Sequence, residues 1–206
     1  TTAAVSLPRA HRNVPPLSPP VAERNPHETR ALPFPARDLR RCAAWCRMNV
    51  LFLCTGNSCR SILGEATFNH LAPEGWHAMS AGSRPTGKVH PRSLALLERE
   101  GIATQGCHSK SWDELPVTPD IVITVCSSAA GETCPAYLGA VLRTHWGVAD
   151  PAHATGTDQE IDAAFMVAYR TLRRRIEAFV ALPLHELQQD RARLKLAMDR
   201  LGEQIR

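Results

Sequence analysis

The stretch 49–53, NVLFL, runs directly into Cys54-Thr55-Gly56-Asn57-Ser58-Cys59-Arg60-Ser61. Its four consecutive apolar residues, Val50 to Leu53, followed by turn-forming ones, read as a buried strand. From Ser58 to about residue 71 the pattern changes to helical spacing, with Ile62, Ala66, Phe68 and Leu71 as apolar positions. A short loop therefore separates a strand from a helix, with a cysteine at its start, then five residues, then an arginine. In such a loop successive backbone N–H groups can converge on one point, and the helix that follows adds unsatisfied N–H groups and a positive dipole end. Gly56 and Asn57 are residue types that tolerate left-handed backbone angles. Arg60 offers a planar fork that matches two oxygens of a tetrahedral anion. The segment Thr55, Gly56, Asn57, Ser58, Cys59 and Arg60 thus reads as an oxyanion cradle. The same field favours thiolate at Cys54, and Ser61 is placed to donate a hydrogen bond to that sulfur.

Working outward, strands and helices alternate. A second strand is expected over 76–80, ended by a turn at Ala81-Gly82, and a helix over 91–100, stopped by Gly101. Residues 120–125 (DIVITV) are rich in β-branched side chains and read as a strand; 141–146 read as another. A long helix spans 157–181, with Ile161, Phe165, Ala168, Leu172, Ile176 and Phe179 on one face. This order points to an α/β fold, a parallel sheet covered by helices on both faces, in which ligands bind beyond the carboxyl ends of the strands. Cys54 and Cys126 each follow a strand and are expected at that same edge. One further helix over 184–205 carries Leu187, Leu194, Met198, Leu201 and Ile205 near helical spacing. It is expected to dock on its own domain or stay partly solvated, with a partner helix as the alternative. The Arg173–Arg175 cluster reads as a solvated helix face that could steer an acidic partner.

Three units follow: a leader over 1–47, a domain over 48–181 and a helical extension over 182–206. The leader holds eight of the sixteen prolines and no lysine, and it lacks periodicity; such a segment is expected to be disordered. It lacks the apolar core of a signal peptide. Met48 stands directly before the first strand and is read as the working start; an intact native mass beginning earlier would refute this. The net charge of +4 is unevenly spread, because the leader has eight arginines against three acids. From Met48 onward there are 16 basic and 17 acidic residues, so charge lends nucleic-acid binding no support. No apolar run is long enough to span a membrane. Seven cysteines at irregular spacing do not form a secreted disulfide pattern; a reducing cytoplasm is the expected compartment. Cys107, His108, Cys126 and Cys134 match no standard zinc spacing.

CTGNSCRS after NVLFL resembles the low-molecular-weight protein tyrosine phosphatase family, particularly its arsenate reductase branch. Ser80-Ala81-Gly82, His145-Trp146-Gly147 and Asp150-Pro151-Ala152 extend the similarity across 48–181. The resemblance implies a flavodoxin-like, three-layer fold with a four-stranded parallel sheet. It also implies Cys54 as nucleophile, Arg60 as oxyanion ligand and Asp150 as general acid. An aspartate before proline is held extended or in a turn, which suits a carboxylate reaching over the anion.

A phosphatase needs one reactive cysteine, whereas a reductase must supply two electrons. Arsenate has the shape and charge of phosphate, so one loop accepts either. The segment C-S-S-A-A-G-E-T-C-P, 126–135, resembles the redox segment of the reductases. That likeness implies that Cys126 attacks Cys54, that Cys134 attacks Cys126, and that a Cys126–Cys134 disulfide remains for an external reductant. In a regular helix eight residues span about 12 Å, beyond the roughly 4.4–6.8 Å a disulfide tolerates, so the segment must loop out. The donor implied is thioredoxin, or glutaredoxin with glutathione, and no organic cofactor is required. Tyrosine phosphatases of the family place aromatic residues after the Asp-Pro pair; Ala152-His153 stands here. Some family reductases bind potassium behind the loop through residue types that match Asn57, Glu65 and Ser80. Lys110 occupies the position of a further aspartate, so its ammonium either fills the cation's place or lies at the surface. Cys59 packs beneath the loop or forms a reserve disulfide with Cys54, and Cys107 is structural or incidental. The competing readings are a phosphatase acting on phosphotyrosine or aryl phosphates, and a non-catalytic oxyanion or metalloid sensor.

Overall fold

The computed structural model describes residues 47–131 and 141–205. The leader up to residue 46, with Cys42 and Cys46, and the segment that holds Cys134 lie outside the described residues. Four strands, β1 (Met48–Cys54), β2 (Trp76–Gly82), β3 (Ile121–Thr124) and β4 (Leu142–His145), form a parallel sheet in the order β2-β1-β3-β4. The helices are α1 (Arg60–Leu71), α2 (Pro91–Arg99), α3 (Ser127–Gly131), α4 (Asp158–Val180), α5 (Leu184–Leu187) and α6 (Arg191–Gln204). This is the expected flavodoxin-like architecture. Strand order reverses direction between β1 and β3, which makes their carboxyl ends the switch point where such sheets bind ligands.

The strand residues explain the layering. Val50 to Leu53 and Ile121 to Ile123 are fully buried, so both pleat directions of the two central strands face packed side chains, as parallel sheets require. Phe52 projects toward Phe68 of α1 and toward Trp146, and Trp146 in turn meets Phe179 of α4 edge-on. The long α4 starts at a capping box in which Thr157 accepts from Glu160 N–H while the Glu160 carboxylate accepts from Thr157 N–H. Among the described residues no helix is long and apolar enough to cross a membrane.

Four expectations need correction. β2 continues through Gly82, paired with Cys54, instead of turning at Ala81-Gly82. The first helix begins at Arg60, two residues later than expected, because the cradle consumes Ser58 and Cys59. The 184–205 segment is two helices, broken where the Asp190 side chain accepts from Arg193 N–H and starts α6 afresh. The Arg173–Arg175 cluster is not one solvated face: Arg173 pairs with Glu177 and Glu100, and Arg175 is only 4% exposed. α6 packs on β4 and α4 with Leu194 and Met198 fully buried. Burying two such side chains contributes about 1.5–3 kcal/mol each to holding this 14-residue helix against the sheet edge.

Candidate active site

β1 delivers Cys54 to the sheet's carboxyl edge, where its Sγ lies 3.1 Å from Asn57 N–H and 3.0 Å from Ser61 Oγ. The loop between them is shaped by where its carbonyls go. Thr55 O accepts from Arg84 N–H, Gly56 O from Thr86 N–H, and Ser58 O from His90 N–H. With these carbonyls held by the 84–90 segment, the opposed N–H groups of the same stretch are left to turn inward. α1 begins immediately afterward with no side-chain cap, so its first N–H groups remain available to an anion. The left-handed position is Asn57 (φ 43°), not Gly56.

Asn57 holds that conformation through its own side chain. Its Nδ2 donates to Ser61 Oγ and Ser80 Oγ, both at 2.9 Å, and its Oδ1 accepts from Lys110 N–H at 2.7 Å. Ser80 then donates to Glu65 Oε2 at 2.5 Å, and Lys110 Nζ lies 3.6 Å from the same oxygen. One unbroken chain of polar contacts thus runs from the Cys54 sulfur to a lysine that is 8% exposed. Lys110 is buried, which removes the surface alternative. Gly82 closes this framework from β2: a Cβ there would stand 2.5 Å from Thr55 O and 3.0 Å from Asn57 N, so any side chain would displace the cradle.

Arg60 spans to the facing loop, donating to Val148 O at 3.0 Å and to Asp150 Oδ2. Asp150 is fixed by accepting Ala152 N–H at 3.1 Å, starting the short 3-10 turn Pro151–His153. Cys126 follows β3. Its Sγ accepts from Ala129 N–H at 3.3 Å and approaches Thr55 Oγ1 at 3.7 Å. Cys54, Arg60, Cys126 and Asp150 line one cavity of about 640 Å³. The six cradle residues, Ser61 and the second thiol therefore gather at one sheet edge, while Cys134 cannot be placed among the described residues. Among those residues no group of histidines, cysteines and acids is arranged to hold a metal.

The remaining thiols behave differently. Burial pushes the Cys59 thiol up, although its Sγ lies 3.9 Å from Ser58 Oγ as a donor; burial likewise raises Cys107. Both are therefore held as thiols. Sequence reading overlooked Arg84, which lines the cavity rim together with His153. Its position two residues past a strand end, at the edge where ligands gather, is the signal that could have found it.

Comparison with known proteins agrees with this geometry. The family model described as low molecular weight phosphotyrosine protein phosphatase matches residues 49–193. The arsenate reductase of Halalkalibacterium halodurans is 38% identical over 131 residues, 63% of this chain and 93% of that protein. The Bacillus subtilis arsenate reductase is 34% identical over the same shares. Among solved structures, the Archaeoglobus fulgidus arsenate reductase superposes with a TM-score of 0.55 at 25% identity, covering 65% of this chain and 99% of that one. A low molecular weight protein tyrosine phosphatase from T. tengcongensis superposes at 0.51 with 21% identity, covering 69% and 99%, which speaks for the fold alone. With the match spanning well over half the chain and covering its sheet and phosphate-type loop, this protein belongs to the low molecular weight phosphotyrosine protein phosphatase family.

Proposed function

We infer that this protein reduces arsenate to arsenite. The observation that carries the reading is the second thiol: Cys126 lines the same cavity as Cys54, where a hydrolytic phosphatase would need one sulfur only. The names of the curated relatives point the same way. The rim beside Asp150 is formed by Ala152 and His153, and among the described residues that line the cavity there is no Phe, Tyr or Trp to grip a phenyl ring.

The chemistry follows from the positions. Cys54 thiolate, stabilised by Asn57 N–H and Ser61, attacks arsenic while the cradle and Arg60 hold the remaining oxygens. Asp150, exchanging its contact with Arg60 for one with the substrate, protonates the departing oxygen, which leaves as water. Cys126 thiolate then attacks Cys54 Sγ. A sulfur–sulfur bond forms, the sulfur–arsenic bond breaks, and its electron pair reduces As(V) to As(III), so arsenite departs. Cys134 attacks Cys126 Sγ, returning Cys54 to thiolate and leaving a Cys126–Cys134 disulfide. A dithiol carrier of the thioredoxin type, or glutaredoxin with glutathione, reduces that bond in a reducing cytoplasm. Lys110 supplies the positive charge behind the loop that potassium provides in some reductases: its ammonium already faces Glu65.

An arsenite-release assay with thioredoxin and glutaredoxin systems supplied separately tests this. Wild type should turn over with one of them, and Cys126→Ser should lose steady-state reduction. Full phosphotyrosine turnover in Cys126→Ser, with no arsenite from wild type, would establish the phosphatase instead. Stoichiometric anion binding without arsenite under every donor would establish a sensor.

A further inference from the structure

Arg175 lies on the helix that crosses behind the site, is almost fully buried, and takes no part in the chemistry above. Its guanidinium donates to three backbone carbonyls: Nε to Ile205 O at 2.9 Å, Nη1 to Gly147 O at 3.2 Å and Nη2 to Gly202 O at 3.3 Å. Two of these belong to the end of α6, where helix carbonyls lack intrahelical partners and the dipole is negative. The third belongs to the segment that carries Asp150.

That segment is pinned at successive residues from opposite sides. Arg175 holds Gly147 O, Val148 N–H donates to Val125 O at 3.1 Å, Arg60 holds Val148 O, and Asp150 follows two residues later. α6 is seated tightly enough to matter. Trp146 Nε1 donates to Met198 O at 3.0 Å, Thr144 Oγ1 donates to Asp199 at 2.8 Å, and Gly202 lies directly on the strand end. A Cβ at Gly202 would stand 2.5 Å from His145 O and 2.8 Å from Trp146 Cδ1. The matched family region ends at residue 193, whereas α6 runs Arg191–Gln204; two of the three carbonyls that hold Arg175, those of Gly202 and Ile205, come from beyond that region.

We propose that Arg175 is a positioning residue through which α6 braces the Gly147–Asp150 segment and keeps the Asp150 carboxyl over the cradle. Desolvation lowers the pKa of Arg175, consistent with a buried cation whose position depends on the carbonyls around it. If α6 shifts, Arg175 loses two acceptors, and a guanidinium left with one carbonyl moves toward water and releases Gly147.

The test uses the full chain with two separate substitutions. Gly202→Ala lifts α6 without touching the site, and Arg175→Met removes the bridge without lifting α6. The first readout is amide hydrogen exchange, which needs no assumption about the substrate. Peptides covering 146–154 should exchange about tenfold faster in either variant, while those covering 54–60 keep wild-type rates. The second rests on the arsenate reductase reading: kcat should fall roughly tenfold, a fraction of what a general acid supplies, with KM for arsenate within about twofold. That loss should vanish when either substitution is placed in an Asp150→Asn background. Unchanged exchange over 146–154 in a folded Gly202→Ala protein overturns the brace, as does an equal kcat loss in the Asp150→Asn background. Absence of arsenite release from wild type overturns the functional reading and leaves the exchange result to decide the brace.

Discussion

Replacing Asn57 separates two things that the cradle asks of one residue: a left-handed backbone and three side-chain hydrogen bonds. Asn57 is fully buried with φ 43°, and its amide joins Ser61, Ser80 and the Lys110 N–H. Each such bond is worth about 0.5–1.5 kcal/mol net, so losing all three costs roughly 2–4 kcal/mol. In Asn57→Ala the methyl-bearing residue must also hold the left-handed angle, at about 1–2 kcal/mol. In Asn57→Gly that strain disappears, but the looser unfolded chain returns about 0.4–1 kcal/mol of destabilisation. The expected order is therefore wild type, then Gly, then Ala, with the last two separated by roughly 0.5–1 kcal/mol and both far below wild type. Urea unfolding measures this, since total stabilities of about 5–15 kcal/mol make such a loss large. Arsenate turnover should fall by about tenfold or more in both, because the Asn57 N–H that meets the Cys54 sulfur is no longer anchored. An Ala variant as stable as Gly would remove the backbone argument. Two variants within about 1 kcal/mol of wild type would mean that the hydrogen-bond hub does not hold the loop.

Two further outcomes are expected. Turnover of wild type should be the same in potassium and sodium chloride, because Lys110 already supplies the charge at Glu65; Lys110→Met should lose about 1–3 kcal/mol, and strong activation of wild type by potassium over sodium would exclude the substitution. The raised Cys59 thiol gives a pH signature. A group that binds its proton more tightly when folded contributes fully below its unfolded value and less as pH climbs past it, so stability should decline above about the ordinary 9.0. Cys59→Ala should flatten that alkaline slope in pH-dependent urea unfolding, and an unchanged slope would locate the effect elsewhere.

Much of this was legible from residue order. Alternating apolar runs and helical periods predicted four strands and their helices, because a parallel sheet buried on both faces needs continuous apolar strands. The cradle was legible because its function depends on local chain geometry: a strand end at Cys54, five residues and a helix start at Arg60. Even so, the left-handed residue was found at Asn57 alone. Which of two permissive residues takes that angle depends on Ser80 and Lys110, partners 23 and 53 positions away.

Other features needed the third dimension. Cys126 follows a strand, which placed it at the correct edge, but its approach to Thr55 depends on β3 lying beside β1 and not elsewhere in the sheet. Lys110 could have been a surface lysine on any pattern; only the fold brings its ammonium to Glu65. Arg175 was misread for the same reason. Three adjacent arginines on a helix look like a charged face, and periodicity says nothing about backbone carbonyls arriving from a different helix and a strand end. Short-range order along the chain encodes helices through bonds between near neighbours, and it marks strands and the anion loop through apolar runs and turn-forming residues. Which buried charge meets which acceptor rests on contacts between segments far apart in sequence, and these exist only once the chain has packed.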